Sequence, residues 1–157
     1  MKKPSIQVNV YKKSRNLKIF FDVDKTFISK IVNHVAIFLH NNISYEMTLL
    51  LSNDIFIQNY NRDYRNKDTP TNVLSFESSD KDEDFYLGDM IISLETIAKE
   101  ANEQGKSIHD HFTHILIHGV LHLFGMDHIL EDERIKMEKL EIEILKTLGI
   151  SDPYLDF

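Results

Sequence analysis

The segment that leaves this chain the fewest choices is residues 111–124, HFTHILIHGVLHLF. Read as a helix, it carries Phe112, Ile115, Leu116, Ile117, Val120, Leu121, Leu123 and Phe124 on nearly all the surface that histidine does not occupy. A helix apolar this far round has to lie inside a core. With 157 residues and no internal repeat, the chain has room for one such core and is too short for two comfortable ones. One domain over residues 1–157 is therefore expected, built around this helix.

The elements that would cover it can be read from periodicity. Ile6, Val8 and Val10 alternate with Gln7, Asn9 and Tyr11, the pattern of a half-buried strand. Asp24 is placed to cap a helix in which Phe27, Ile31, Val35, Ile37 and Phe38 recur near helical period, and Asn41-Asn42 is expected to end it. Residues 43–52 suit a strand, and Ser52-Asn53-Asp54 can cap a second helix running to about Tyr64. A turn through Asp68 and Pro70 leads to a short strand at Val73 to Phe76. After an acidic loop, ESSDKDED, comes a further strand that Gly88 is expected to interrupt. The remainder is helical, with segments closing at Gly105, Gly125 and Gly149, the last showing an apolar stripe at Ile135, Leu140, Ile144 and Leu148. The predicted fold class is α+β: a small mixed β-sheet with most helices in the C-terminal half.

Composition narrows the chemistry. There is no cysteine, so disulfides and thiolate metal sites are excluded and nitrogen or oxygen must hold any metal. Apolar runs fall far short of the roughly 18 residues a membrane span requires, and the N-terminus does not read as a signal peptide, so a soluble, cytoplasmic protein with no membrane partner is expected. The formal net charge of −7 disfavours loose attraction to nucleic acid, which depends on many Lys and Arg contacts to phosphate. A nucleic-acid substrate would need a local basic patch.

Six of the eight histidines lie between positions 109 and 128. His118 and His122, four residues apart, project from one helix face about a turn apart, roughly 6 Å along the axis. His128 would point away from them on a continuing helix, but Gly125 offers a left-handed turn that can bring it back. The spacing predicts three convergent imidazoles. Three nitrogen ligands leave the fourth position of a tetrahedral zinc ion open, as in catalytic sites. His114, one turn earlier, is expected to line the cleft or hydrogen-bond nearby. Asp127 could orient a ligand histidine through its second ring N–H, or cap the helix beginning near Glu131. His34, His40, His109 and His111 read as ordinary structural histidines.

In HExxH zinc peptidases, the residue after the first histidine is the glutamate that takes the proton from the attacking water. Here that position is Gly119. Losing such a base removes a contribution typically worth about 10²- to 10⁴-fold in rate.

HGVLHLFGMDH resembles the HGxLHLxGxDH signature of the YbeY-type endoribonucleases, bacterial proteins of ribosomal RNA maturation and ribosome quality control. NRDYRNKDTPTNVLSF, residues 61–76, is similar to that family's second block, and LGDMIIS to its LGD-led strand. Met126, where an aromatic is frequent, and Glu77, where proline is usual, depart from the pattern. The resemblance implies a metal on His118, His122 and His128, one zinc ion per chain, and a catalytic role for Arg65 of the YR pair. It also implies ribosomal RNA as substrate and the small ribosomal subunit or its proteins as partners, with no DNA expected. An arginine fork suits a phosphate and the charge that develops on it, with Arg62 and Lys67 as a basic rim.

The reaction expected is metal-dependent cleavage of single-stranded RNA. One rival is a metzincin-like peptidase, which the histidine spacing permits but Gly119 and the lack of a Met-turn oppose, Met137 being the only methionine after His128. The other is a non-enzymatic ribosome-assembly factor whose metal only staples the fold.

Overall fold

The structure, a computed structural model, describes residues 4–79 and 85–155. Most of the predicted acidic loop, residues 80–84, lies outside them. Four strands, β1 (Ile6–Lys12), β2 (Tyr45–Ser52), β3 (Val73–Glu77) and β4 (Tyr86–Ser93), form one sheet in the order β1-β2-β4-β3. β1, β2 and β4 are parallel and β3 runs antiparallel on the edge beside β4. The mixed sheet and its helices are those of the predicted α+β class.

Helix α1 (Lys25–Phe38) connects β1 to β2, and Asp24 caps it by accepting a hydrogen bond from the Phe27 amide at 2.8 Å. Helix α2 (Asp54–Arg65) follows β2, capped by Asn53 through the Phe56 amide at 3.0 Å. Each cap satisfies an amide that has no partner inside its helix, a contribution of about 1 kcal/mol. Helices α3 (Leu94–Gln104), α4 (Ile108–Leu123) and α5 (Glu131–Thr147) complete the chain. Among the described residues, no helix is long and apolar enough to cross a membrane.

The sheet separates two apolar layers of unequal size. On one face, Met47, Leu49, Leu51, Met90 and Ile92 meet Ile28, Val32 and Val35 of α1 and Phe112, Leu116 and Val120 of α4. On the other, α2 lays Ile57 against Leu74 and Ile91. The apolar helix read from the sequence is thus the centre of the larger core. Each fully buried Leu, Ile or Phe there contributes roughly 1.5–3 kcal/mol of burial.

Four expectations about the elements need correction. α1 stops at Phe38, short of Asn41-Asn42: His40 takes a positive φ of 54° and the Asn41 amide bonds back to the Ala36 carbonyl, so the chain turns early and β2 begins at Tyr45. Ile37 faces solvent, because its neighbours Val35 and Ala36 take the inward positions. Gly88 does not interrupt β4. It sits beside a register shift against Glu46 and Met47, where the glycine lets β4 continue past the irregularity at a φ of 144°. In α5 the inward face is Met137, Glu141, Ile144 and Leu145, while Ile135 is exposed. The expected stripe holds at Ile144 and, partly buried against the same core, at Leu140 and Leu148; it left out Met137, Leu145 and the glutamate among them.

Candidate metal centre

The centre begins with the ending of α4. Gly125, at a φ of 93°, reverses the chain, and the Met126 amide reaches back to the Leu121 carbonyl at 3.1 Å. This is the glycine-terminated helix end in which the residue two beyond the cap bonds to an orphan carbonyl. It carries His128 back over the helix end, with its ring centroid 4.8 Å from that of His122 and 5.4 Å from that of His118. The predicted triad is brought together, with all three ligand atoms within 4.8 Å of one another.

The donor set fits one small cation. The Nε2 atoms of His118 and His122 lie 3.2 Å apart, close to the roughly 3.3 Å that two nitrogens have when bound tetrahedrally at 2.0–2.1 Å. Two like-polarity ring nitrogens at that distance are natural ligands of a shared ion. Among the described residues, the group able to hold an ion has these three members and no fourth side chain. His118 and His128 open onto a pocket of about 360 Å³ lined also by Arg134, Met137, Glu138, Glu141 and Tyr154. A larger cavity of about 720 Å³ lies across Tyr154, bordered by Asn72, Glu100, His111 and His114, and contains none of the triad.

The support behind the triad was not read from the sequence. Glu141 is wholly buried. The His118 Nδ1–H donates to its Oε1 and the Tyr154 hydroxyl donates to its Oε2. His114 Nε2 stands 3.8 Å from the same Oε2 and 3.3 Å from the Tyr154 hydroxyl. Burial alone would raise the Glu141 carboxyl, but the His118 and His114 rings facing its two oxygens outweigh it and hold the group down at about 2. Burial lowers His114, and burial together with the charges of His118 and His128 lowers His122. Both rings are thereby kept neutral near pH 7. A glutamate in the acidic sequence EDERIKMEKLEIE gives no local sign of burial; only its helical spacing to Met137, Ile144 and Leu145 could have flagged it.

The other site residues are placed as follows. Asp127 accepts a hydrogen bond from the His128 amide at 2.7 Å and lies 3.8 Å from His128 Nδ1. It does not cap α5, whose N-cap is Leu130 without a side-chain bond. Gly119 faces the sheet: a Cβ there would meet Met90 Cε at 2.2 Å, and the Ser75 hydroxyl donates to the Gly119 carbonyl at 3.2 Å. Arg65 ends α2 on the opposite layer of the sheet and is exposed. Its neighbour Tyr64 stacks on Tyr60 and meets the Phe76 ring edge-on, which sets this helix end against the β3 edge. No hydrogen bond or ion pair joins Arg65 to the triad among the described residues. Arg62 is engaged by Asp63 at 3.1 Å.

Comparison with known proteins gives a concordant result. The family model described as Endoribonuclease YbeY matches residues 9–149. The chain is 50% identical over 117 residues to Endoribonuclease YbeY of Paramagnetospirillum magneticum, covering 69% of this chain and 71% of that protein. It is 39% identical over 145 residues to Endoribonuclease YbeY of Bartonella quintana, covering 90% of each. The solution structure of TM1509 from Thermotoga maritima aligns over 96% of this chain and 100% of that one, with a TM-score of 0.52 at 20% identity, a likeness of fold. A histidine triad converging at the end of a buried helix, matched by a family model over almost the whole chain, leads to one conclusion: this chain belongs to the Endoribonuclease YbeY family.

Proposed function

We propose that this protein is a metal-dependent endoribonuclease that cuts single-stranded ribosomal RNA during maturation and quality control of ribosomes in the cytoplasm. The observation that carries the reading is the three-nitrogen site, with two Nε2 atoms 3.2 Å apart and no fourth protein ligand among the described residues. A structural staple would be closed by four ligands, whereas a catalytic site keeps a position for substrate or water. The all-nitrogen set favours zinc, one ion per chain, which when bound supplies Lewis-acid chemistry to a phosphodiester.

The chain's own residues do the rest. The His122 ring, held below the ordinary imidazole range, presents a lone pair at neutral pH, and the Glu141 carboxylate at His118 Nδ1 leaves His118 Nε2 facing it. The carboxylates lining the pocket are already engaged, Glu138 by Arg134 at 2.9 Å and Glu141 by His118, which is a poor arrangement for a peptidase base. Arg65 grips the phosphate from the β3 edge and offsets its developing charge, with Lys67 beside it. The acidic balance of the chain, −7 overall, leaves delivery of the RNA to the small ribosomal subunit or its proteins.

The test is cleavage of single-stranded ribosomal RNA fragments by zinc-loaded protein beside the His118→Ala variant. Cleavage by the wild type alone is expected, and equal cleavage by both would overturn the reading.

A further inference from the structure

The inward face of α5 presents an anomaly that the metal ligands alone do not explain. Met137, Ile144 and Leu145 are what a core-facing helix should bury, and Glu141 sits between them with no exposure to solvent. A buried carboxylate without partners is strongly disfavoured, so it persists only where both its oxygens are engaged. Both are: Oε1 takes the His118 Nδ1–H, and Oε2 takes the Tyr154 hydroxyl, with His114 Nε2 at 3.8 Å.

The consequence reaches the triad. A neutral imidazole carries its proton on one nitrogen only. An acceptor fixed at Nδ1 therefore commits the lone pair of His118 to Nε2, the atom 3.2 Å from His122 Nε2. A carboxylate behind a ligand histidine also makes that ring a better donor. Tyr154 comes from the segment that follows α5 and lies beyond residues 9–149, the span of the family match. That segment is tied down by the Lys106 ammonium, which donates to the Pro153 carbonyl at 3.2 Å, and its own turn is closed by the Tyr154 amide, which donates to Asp152 at 2.8 Å.

We infer that Glu141 is a positioning residue that sets the tautomer and aim of His118 for the metal, and that Tyr154 holds Glu141 in place from the C-terminal segment. The inference rests on the triad being the metal site, not on RNA being the substrate. Zinc affinity, measured by competition with a chromophoric chelator in the absence of RNA, separates the two.

Glu141→Leu keeps side-chain bulk and removes both acceptors. Its zinc affinity is expected to fall roughly 10- to 100-fold, with the helical circular dichroism of the metal-free protein unchanged. Glu141→Gln, which keeps an acceptor but not the charge, should recover part of that loss. Tyr154→Phe should fall by a smaller factor, because Oε1 still holds His118. A folded Glu141→Leu that binds zinc within twofold of wild type would show that Glu141 merely ties α5 to α4, and would overturn the inference. If Glu141→Leu does not fold, unchanged affinity in both Glu141→Gln and Tyr154→Phe overturns it, and a loss in either supports it. Wild-type protein that binds no zinc overturns this inference and the proposed function together. Zinc binding that depends on Glu141 without RNA cleavage removes only the function.

Discussion

Replacing Gly119 with glutamate would write the peptidase motif HExxH back into α4, and the structure gives reasons to expect loss of stability, not a gain of peptidase chemistry. Position 119 points at the sheet, where even a Cβ would lie 2.2 Å from Met90 Cε and 3.1 Å from Ser75 Oγ. Met90 is itself 1% exposed, so its thioether end has nowhere free to go. Replacing glycine within a helix returns about 1 kcal/mol of propensity. Overpacking costs about 1–3 kcal/mol, and an unpaired buried carboxylate about 3–5 kcal/mol. The net expectation for Gly119→Glu is a loss of about 3–7 kcal/mol, comparable with the entire stability of a domain this size. For Gly119→Ala, only the displacement of Met90 opposes the propensity gain, and the change should stay within about 2 kcal/mol. Urea unfolding of the metal-free proteins, followed by circular dichroism at the helix band, measures both, and casein hydrolysis should remain absent. A Gly119→Glu variant with the wild-type midpoint would refute the argument. It would mean that the side chain escapes into the metal cleft, and that glycine stands there for chemical reasons alone.

Other outcomes follow from the same geometry. Chelation of the metal should abolish cleavage and leave the helical signal intact, since the apolar core around Phe112, Leu116 and Val120 does not pass through the triad; unfolding on chelation would favour the staple reading. Arg65→Ala should lower RNA cleavage by roughly 10²-fold with zinc stoichiometry unchanged, and equal activity would remove Arg65 from the mechanism. Gly88→Ala places a methyl group 2.3 Å from the Phe76 carbonyl oxygen at a φ of 144°, and should cost about 2–4 kcal/mol in the same urea assay. Burial would raise the Asp54 carboxyl, but bonds from Lys99, Thr96 and Ser93 together bring it below its ordinary 3.8. Its stabilisation is therefore present above pH 4 and is lost as pH falls through the lowered value. Asp54→Asn should flatten that acid limb of the stability profile.

What could be read without coordinates was local in sequence. The core helix is apolar over consecutive turns, the caps at Asp24 and Asn53 sit next to the helices they start, and the triad needs only an i, i+4 pair, a glycine turn three residues later and a third histidine three beyond that. Each follows from helical period and backbone sterics, which a sequence carries in full. What the tertiary structure decided was distant or ran against residue type. Glu141, 23 residues beyond His118, is charged and yet belongs to the core, because α5 turns it onto His118 and the C-terminal segment brings Tyr154 to its second oxygen. Gly119 read as a missing base, and packing shows it to be the point where α4 touches Met90 and Ser75. Arg65, joined to the metal motif by resemblance, ends a helix packed on the other face of the sheet, beside the β3 edge. Spacing along one helix fixes which side chains share a face; only the packing of separate elements fixes what those faces meet.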